Sequence, residues 1–167
     1  MKYKHTISTP LGFMRAVATD AGLCRLLWQQ QPFDDADSPD HVSCETTAQL
    51  EAYLGGDLTE FSLRFDFSFI STALAGWLQV MQTIPYGKTC SYADYAEMWG
   101  NRSAARAAGG ACQRNPIPII IPCHRVVKSD GSYDNYSGGA DTHPRDIENI
   151  KRKQWLIEME ARENLAR

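Results

Sequence analysis

The sequence predicts an α+β protein with an antiparallel sheet in its N-terminal half and a pair of adjacent helices in its C-terminal half. Two observations support this fold class: short strand-like segments divided by turn residues come first, and apolar residues at helical spacing follow from residue 72 onward. No repeat or low-complexity linker divides the chain, so the change of pattern near Ser71 marks the expected boundary. We therefore expect two domains, residues 1–71 and residues 72–167.

The N-terminal half contains three short strands in the pattern of an antiparallel meander: residues 2–8, 13–18 and 22–29. The turns between them are Pro10-Leu11-Gly12 and Asp20-Ala21-Gly22. The acidic segment from Gln31 to His41 is predicted to be a loop. A helix is predicted over 46–54, where Gly55 ends it, and the alternation over 63–69 predicts a further strand.

The C-terminal half begins with helical patterns. Four apolar residues recur at helical spacing over 72–83, which predicts the first helix. The second, YADYAEMW, begins at the capping box Ser91-x-x-Asp94 and stops at Gly100. A third helix follows after a brief turn, so the second and third have helix-turn-helix geometry, which also occurs in proteins that never bind DNA.

The third predicted helix, SAARAAGGACQR, is capped by Asn101 or Ser103 and is rich in small residues. Gly109 and Gly110 each cost about 0.5–1 kcal/mol relative to alanine inside a helix, so close approach of another body is the expected reason for them. Arg106 is the one long side chain on this nearly bare surface. Packing against another helix explains such a surface as well as DNA does.

The charge of the chain is unevenly distributed. The net charge is -3, but residues 100–129 carry five Lys/Arg and no Asp/Glu. Three of these arginines, Arg102, Arg106 and Arg114, belong to the helical region and fit phosphate contacts in a narrow minor groove. A solvated basic face is the alternative interpretation.

Membrane, secreted and metal-binding classes are not favoured. No apolar run approaches spanning length and no signal peptide is evident, so we expect a cytoplasmic protein, nucleoid-associated if bacterial. Five scattered cysteines without a Cys-x-x-Cys pair are expected to be free thiols. His41-x-x-Cys44 with His5 and Cys24 is half a ligand set, so no metal is expected. The N-terminal half otherwise offers little chemistry.

The segment IPIIIPCHRVV, Ile117 to Val127, places polar residues inside an apolar, strand-like run. A thiol is a nucleophile only as the thiolate, and the imidazole of His124 or the guanidinium of Arg125 would favour that form of Cys123. Pro122 should end the strand, so we expect a turn at which His124 reaches the sulfur through a bridging water. A carboxylate from elsewhere in the chain must hold the histidine tautomer.

The loop VVKSDGSYDNYSGG follows this segment directly. An ordinary hairpin needs only Asp130-Gly131, which leaves Tyr136-Ser137-Gly138-Gly139 unexplained. An aromatic ring, a hydroxyl and backbone amides freed by glycine would stack on a planar base and hydrogen-bond to it.

Five motifs follow one another between residues 89 and 139: Ser91-Tyr92, Ala-Ala-Arg-Ala-x-Gly-Gly from Ala104, Asn115-Pro116-x-Pro118, Ile121-Pro-Cys-His-Arg-Val-Val127 and Asn135-Tyr-Ser-Gly-Gly139. In order and spacing they resemble the signature of O6-alkylguanine-DNA alkyltransferases. The opening Ser8-Thr9-Pro10-Leu11-Gly12 is also similar to the first domain of that family. The resemblance implies an N-terminal ribonuclease-H-like antiparallel sheet domain and a C-terminal winged helix-turn-helix domain that binds DNA and holds the active site.

The resemblance also implies a reaction. A monomer binds double-stranded DNA through the minor groove, flips O6-alkylguanine or O4-alkylthymine out of the duplex, and transfers the alkyl group irreversibly to Cys123 in a single turnover. No cofactor takes part. His124 activates the thiol through water, Glu160 orients His124, and Tyr92 donates a proton toward the leaving base.

Further roles are implied residue by residue. Those expected to meet or support the flipped base are Tyr136, Ser137, Gly138, the backbone of Val126, and Asn115, which braces the turn before the active site. Those expected at the DNA are Arg106, which replaces the extruded base in the stack, and Arg102, Ser103, Ala105, Gly109 and Arg114. Arg125 is a structural partner in this family rather than a catalyst.

The chain also departs from the family pattern. Its segment 140–154 is longer than the family's short linker before the helix that begins WLIEME. Spacing within that helix selects Glu160 as the acid, with Glu158 as the alternative. Ala161 stands where the family usually has glycine, and Cys112 stands where it has a larger apolar residue, so the pocket dimensions should differ.

Two other functions fit the same residues. A Cys-His hydrolase would use the activated thiol on an ester or amide, but it needs an oxyanion pocket and turns over repeatedly. A non-catalytic lesion-binding module would keep the helices and the pocket without chemistry. Relatives of that kind lack the cysteine, and Cys123 is present.

Overall fold

The N-terminal half is built on a three-stranded antiparallel sheet. The structure is a computed structural model that describes residues 1–133, 135–140 and 142–167. Its first sheet has the order β1-β2-β3, with the strands Tyr3–Thr9, Gly12–Thr19 and Gly22–Gln29. Both turns close through glycines with positive φ, 111° at Gly12 and 151° at Gly22. The predicted meander is therefore confirmed.

Helix α1, His41–Leu54, begins five residues earlier than predicted. Asp40 caps it by accepting from the Ser43 amide, and the Ser43 hydroxyl accepts from the Asp40 amide in return. This reciprocal cap uses Ser rather than Glu or Gln at the third helical position, so the usual sequence pattern did not reveal it. The predicted loop accordingly ends at Asp40 rather than at His41.

The prediction of a strand over 63–69 is wrong. Only Phe65 pairs, in a single parallel bridge with Leu23, where Leu23 N donates to Arg64 O and Asp66 N donates to Leu23 O. The segment is extended locally, and the rings of Phe65 and Phe67 lie parallel with centroids 5.5 Å apart. Alternation thus marks an extended segment beside β3 that forms too few ladder bonds to be a strand.

The C-terminal half contains the predicted helix pair. Helix α2, Thr72–Met81, is capped by Ser71, and helix α3, Tyr92–Trp99, starts from the predicted Ser91 capping box. Gly100 ends α3 in the left-handed conformation, with φ 118°. Asn101 caps a short 3-10 turn, after which helix α4, Ala105–Gln113, follows. Helix α4 starts two residues later than predicted because this turn takes up its first residues, and it ends one residue earlier, at Gln113.

The run from Ile117 to Ile121 is not a strand. Ile119 has a φ of 72°, and Ile121 N donates back to Ile117 O, so the chain turns within the run. Pro116, Pro118 and Pro122 lack the amides that a strand would need, which explains why β-branched residues do not form one here. The predicted turn follows as a 3-10 turn over Cys123–Arg125.

The turn leads into a small parallel pair and a long final helix. Strand β5, Val126–Val127, pairs with strand β4, Cys90–Ser91. Helix α5, Ile147–Ala166, contains the segment WLIEME. Asp134 of the predicted base-contacting loop and Asp141 of the segment 140–154 lie outside the described residues.

One buried core joins both halves of the protein. Leu23 and Trp28 of β3 and Tyr53 of α1 belong to the same apolar cluster as Ile121 and Leu156 of α5. Each fully buried side chain of this size contributes about 1.5–3 kcal/mol. In the part of the chain that the structure describes, no helix is both long and apolar enough to cross a membrane.

Candidate active site

A cavity of about 510 Å³ lies between helix α4, the segment after the Cys123 turn, and helix α5. Its wall includes Tyr92, Arg106, Cys123, Tyr136, Ser137 and Lys153. Cys123 itself is only 4% exposed, so its thiol lies at the inner wall of the cavity and is largely shielded from solvent. The structure therefore brings Cys123, the predicted alkyl acceptor, to the same cavity as Tyr136 and Ser137, which were predicted to meet the base. Arg106, predicted to replace that base in the stack, lines this cavity too.

His124 follows Cys123 directly in the chain and is wholly buried. Its Nε2 is 2.7 Å from Glu160 Oε1, so Nε2 carries the hydrogen and donates it to the carboxylate. Nδ1 then keeps its lone pair, and no described residue gives it a hydrogen-bond partner. Burial lowers the pKa of His124 although Glu160 acts against that shift, so the imidazole is neutral at physiological pH.

Glu160 is held by four residues: His124, Arg125, Gly87 and Tyr53. Arg125 donates to it from Nε at 3.0 Å and from Nη2 at 3.0 Å, and the Gly87 amide donates to Oε2 at 3.0 Å. The Tyr53 hydroxyl also donates to Oε1. Burial alone would raise the pKa of Glu160, but His124 and Arg125 hold it well below its usual range. Glu160 is therefore an anion, whereas Glu158, the sequence alternative, is exposed and bonded to Gln154.

Burial raises the pKa of the Cys123 thiol. The Asn115 side chain and the nearby cations Lys153 and Arg152 act in the opposite direction without overcoming that effect. The thiol is therefore protonated at neutral pH, and a base must take its proton before or during attack. The neutral His124 nitrogen is in the form that this step requires.

Only some of the residues predicted to meet or support a base line the cavity. Tyr136 and Ser137 line the cavity, and Gly138 continues the chain with a φ of 54°. Val126 is not among the lining residues, and its carbonyl accepts from Lys153 Nζ at 2.7 Å. Asn115 lies behind the wall, where its Nδ2 donates to Ile121 O at 2.8 Å and its Oδ1 accepts from Ile117 N at 3.0 Å. That pattern braces the turn before Cys123.

Helix α4 presents small residues to the cavity mouth. Ala105 and Gly109 line the cavity beside Arg106, which is exposed. A Cβ at Gly109 would lie 3.8 Å from the Tyr92 ring, and one at Gly110 would lie 3.7 Å from Arg114 Nη2, both ordinary contacts. Helix packing inside the protein therefore does not require either glycine, whereas Ala108 and Ala111 of the same helix are buried in the core, as the packing alternative expects.

Arg102, Ser103 and Arg114 do not join the cavity. Arg102 Nη1 bonds Asp94 at 2.8 Å and Glu97 at 2.7 Å, so its charge is already paired on the protein surface. Ser103 is exposed in the 3-10 turn, where its amide donates to Asn101. Arg114 is exposed at the far end of α4, and its Nε donates to Gly110 O.

Sequence reasoning missed three buried polar residues. Tyr53 comes from the half that was expected to offer little chemistry, and its hydroxyl reaches Glu160 across 107 residues of chain. No periodic signal distinguishes it from a core tyrosine. Arg152 and Lys153, each at most 2% exposed, lie in the segment that was only noted as long. Lys153 could have been found, because it precedes Glu160 by seven residues and shares its helical face.

The described residues offer no metal site. No group of three or more His, Cys, Asp or Glu among residues 1–133, 135–140 and 142–167 could hold a metal ion. His5 Nδ1 instead lies 2.6 Å from Thr47 Oγ1, and Cys24 donates to Val17 O. The five cysteines are free thiols.

Two family models match the chain. The model described as "6-O-methylguanine DNA methyltransferase, ribonuclease-like domain" matches residues 2–67, and the one described as "6-O-methylguanine DNA methyltransferase, DNA binding domain" matches residues 76–162. A methylated-DNA--protein-cysteine methyltransferase of Mycolicibacterium paratuberculosis is 35% identical over 96% of this chain and 93% of that protein. One of the same name from Mycobacterium leprae is 42% identical over 72% of this chain and 67% of that protein.

Solved structures agree in fold. The O6-methylguanine methyltransferase of Mycobacterium tuberculosis superimposes with a TM-score of 0.80 at 33% identity and covers 98% of this chain and 94% of that one. The M. tuberculosis protein in complex with DNA gives a TM-score of 0.79 at 34% identity, with coverage of 96% and 93%. The α+β fold class, with its ribonuclease-like and DNA-binding domains, is confirmed. The chain belongs to the 6-O-methylguanine DNA methyltransferase family.

Proposed function

We propose that this protein repairs DNA by moving an alkyl group from O6 of guanine to the sulfur of Cys123. One observation carries the proposal: Cys123 lines a cavity together with small residues and Arg106 of α4, and the next residue, His124, is buried and bonded to Glu160. A nucleophile, its base and a nucleic-acid surface therefore converge on one space that can admit an extruded base.

The proposed transfer is a direct displacement. His124 Nδ1 takes the thiol proton through a water, and the thiolate attacks the alkyl carbon opposite the guanine oxygen. The S–C bond forms as the C–O bond breaks, and the electron pair of that bond leaves with guanine. Tyr92, in the cavity wall, donates a proton toward the leaving base, and Glu160 stabilises the imidazolium that His124 becomes.

The product is a thioether, which water does not cleave under these conditions, so each molecule acts once. This outcome separates the proposal from a Cys-His hydrolase, whose acyl-enzyme is cleaved by water and turns over. The relatives support the alkyl acceptor better, because those that match this chain carry the name methylated-DNA--protein-cysteine methyltransferase and one solved relative is in complex with DNA.

The DNA is proposed to lie with its minor groove on α4. Small residues let the backbone of the helix approach the groove, and Arg106 enters the base stack where the alkylated base has left. Extrusion costs a few kcal/mol and is least costly for a weakly paired, damaged base, so O4-alkylthymine is included as a substrate. We propose further that the protein acts as a monomer in the cytoplasm, at the nucleoid if bacterial, and that its domains divide at residue 71.

Intact mass spectrometry tests the proposal. The protein is incubated with a duplex containing one O6-methylguanine and is expected to gain one methyl group in place of one hydrogen. Cys123→Ala should gain nothing, whereas Cys112→Ala, the matched control in the same cavity, should still be methylated. Repeated turnover on an ester without stable mass gain would favour the hydrolase, and lesion binding without mass gain would favour the binding module.

A further inference from the structure

Arg152 is a buried cation that no step of the proposed reaction uses. It lies on α5 and is 2% exposed, and its guanidinium carbon is 3.6 Å from the centre of the Trp28 ring and 5.2 Å from that of Tyr136. Trp28 belongs to the N-terminal sheet, whereas Tyr136 lines the cavity. One guanidinium therefore contacts aromatic rings from both halves of the protein.

Arg152 also bonds the backbone of the cavity wall. Its Nη2 donates to Ser137 O at 2.5 Å. The next residue, Gly138, is so close that a Cβ there would lie 2.5 Å from Arg152 Nη2 and 2.5 Å from the Tyr136 ring. The guanidinium therefore packs against the segment that forms the Tyr136–Ser137 wall.

Strand β3 holds the same segment from its other end. Trp28 N donates to Gly139 O at 3.2 Å, and Trp28 forms a bridge with Ala140. A Cβ at Gly139 would lie 2.3 Å from Leu26 O, so no side chain could separate the segment from β3. Trp28 itself is fixed, because its indole N–H donates to Leu11 O.

The chemistry of the site requires arginine. Burial lowers the pKa of Arg152 to about 10, so the group is still a cation at neutral pH. No carboxylate among the described residues pairs with it, and its Nε and Nη1 have no hydrogen-bond partner there. The flat, delocalised guanidinium tolerates this environment by stacking on rings, which a lysine ammonium does less well.

We propose that Arg152 is a positioning residue that couples Trp28 of the N-terminal sheet to the Tyr136–Ser137 wall of the alkylguanine pocket. Arg152 is not among the residues that line the cavity of Cys123, so it acts through the wall that receives the flipped base. The N-terminal domain would thereby set how tightly the damaged base is held. This inference rests on the proposed function of the same pocket.

Single-turnover transfer from an O6-methylguanine duplex, measured over a range of protein concentrations, separates base capture from chemistry. Arg152→Lys keeps the charge but loses the flat stacking surface. We expect its half-saturating concentration to rise at least about tenfold, while the limiting rate stays within about threefold of the wild type. Affinity for undamaged duplex should not change, because α4 is untouched. Lys151→Met, an exposed neighbour on the same helix, is the matched control and should behave as wild type.

The coupling to Trp28 is tested by a double-mutant cycle. Trp28→Leu should weaken lesion capture by a similar factor, and the double variant should be no weaker than either single one. Trp28→Phe keeps a ring for the guanidinium and should recover capture to within about threefold of the wild type. This rescue does not require any Arg152 variant to fold.

Three results would overturn the inference: Arg152→Lys behaving like Lys151→Met, the two single effects multiplying in the double variant, or Trp28→Phe being as weak as Trp28→Leu. A failure of the proposed function looks different. In that case the wild-type protein itself would transfer no methyl group to Cys123.

Discussion

Glu160 Oε1 lies 2.7 Å from His124 Nε2, and both side chains are almost completely shielded from solvent. The carboxylate fixes the hydrogen on Nε2 and leaves the Nδ1 lone pair for another proton. Burial favours both the neutral imidazole of His124 and the protonated thiol of Cys123, so these two groups are uncharged when the reaction begins. The negative charge that rises on sulfur is thus matched by an imidazolium next to an anionic Glu160.

Removal of the Glu160 charge should slow methyl transfer. Glu160→Gln keeps the shape of the side chain but no longer stabilises the imidazolium, so the single-turnover rate should fall by about 10²-fold. Glu158→Gln, two residues away and exposed, should leave the rate unchanged. A slow Glu158→Gln and an unaffected Glu160→Gln would show that the wrong acid has been assigned.

The same variant should shift the pH dependence of the rate. The pKa of His124 is lowered by burial, so the acid limb of the wild-type rate profile should lie below the ordinary histidine value of 6.5. Glu160 raises the pKa of His124, and its loss should move the limb to still lower pH. The rate of transfer measured from pH 4.5 to 8 tests the shift. An acid limb that moves to higher pH in Glu160→Gln would be incompatible with this electrostatic coupling.

Stability should also depend on Glu160 at acid pH. Because its folded-state pKa is depressed below the ordinary value of 4.5, its stabilisation is fully present above that value and is lost as the pH falls below it. Urea unfolding at pH 7 and pH 3 should show a larger loss for the wild type than for Glu160→Gln. The variant should start less stable, because the buried Arg125 loses its carboxylate partner. Equal losses in the two proteins would argue against the depressed pKa.

Replacement of Arg106 should slow transfer more than replacement of Arg102, although both residues were expected at the DNA. Arg106 is exposed at the cavity mouth, so Arg106→Ala should slow transfer from duplex by about 10-fold or more through loss of base extrusion. Arg102→Ala removes a charge already bonded to Asp94 and Glu97 and should change the rate less than about threefold. Transfer from the free O6-methylguanine base should be unaffected in both. A larger defect in Arg102→Ala would contradict the placement of α4.

Tyr53 should stabilise the site from the N-terminal half. Burial, followed by the charge of Glu160, raises the pKa of Tyr53, so its phenol stays protonated and donates to that carboxylate. Tyr53→Phe should lower the free energy of unfolding by about 1–2 kcal/mol, which thermal or urea unfolding measures. Tyr3→Phe removes an exposed hydroxyl that donates to Asp20 and is the matched control. If Tyr3→Phe lost as much stability as Tyr53→Phe, the buried bond to Glu160 would contribute no more than an exposed one.

Local signals predicted most of the fold. The Ser91 and Asp94 side chains cap α3 and Gly100 ends it by interactions within a few residues, so the sequence carries all the information needed. The same logic failed at the start of α1, where Ser43 completes the cap in place of Glu or Gln. It failed again near Phe65, because alternation reports an extended backbone but not whether a neighbouring strand pairs with it.

Long-range contacts explain what the sequence could not predict. The motifs around Cys123 and Tyr136 identify the pocket because they lie in consecutive segments of the chain. The Tyr53 bond to Glu160 and the Arg152 stack on Trp28 join residues more than 100 positions apart, and nothing local to either pair encodes the encounter. Only the packing of both halves into one core brings these residues together.

Peptide mapping by mass spectrometry identifies the residue that receives the alkyl group. A duplex whose O6-methylguanine bears a deuterated methyl group is incubated with equimolar protein, and the labelled peptide is sequenced. We expect label on Cys123 alone, with a plateau at one methyl group per protein molecule. Label on another residue such as Cys112, or release of labelled methanol without label on the protein, would contradict it.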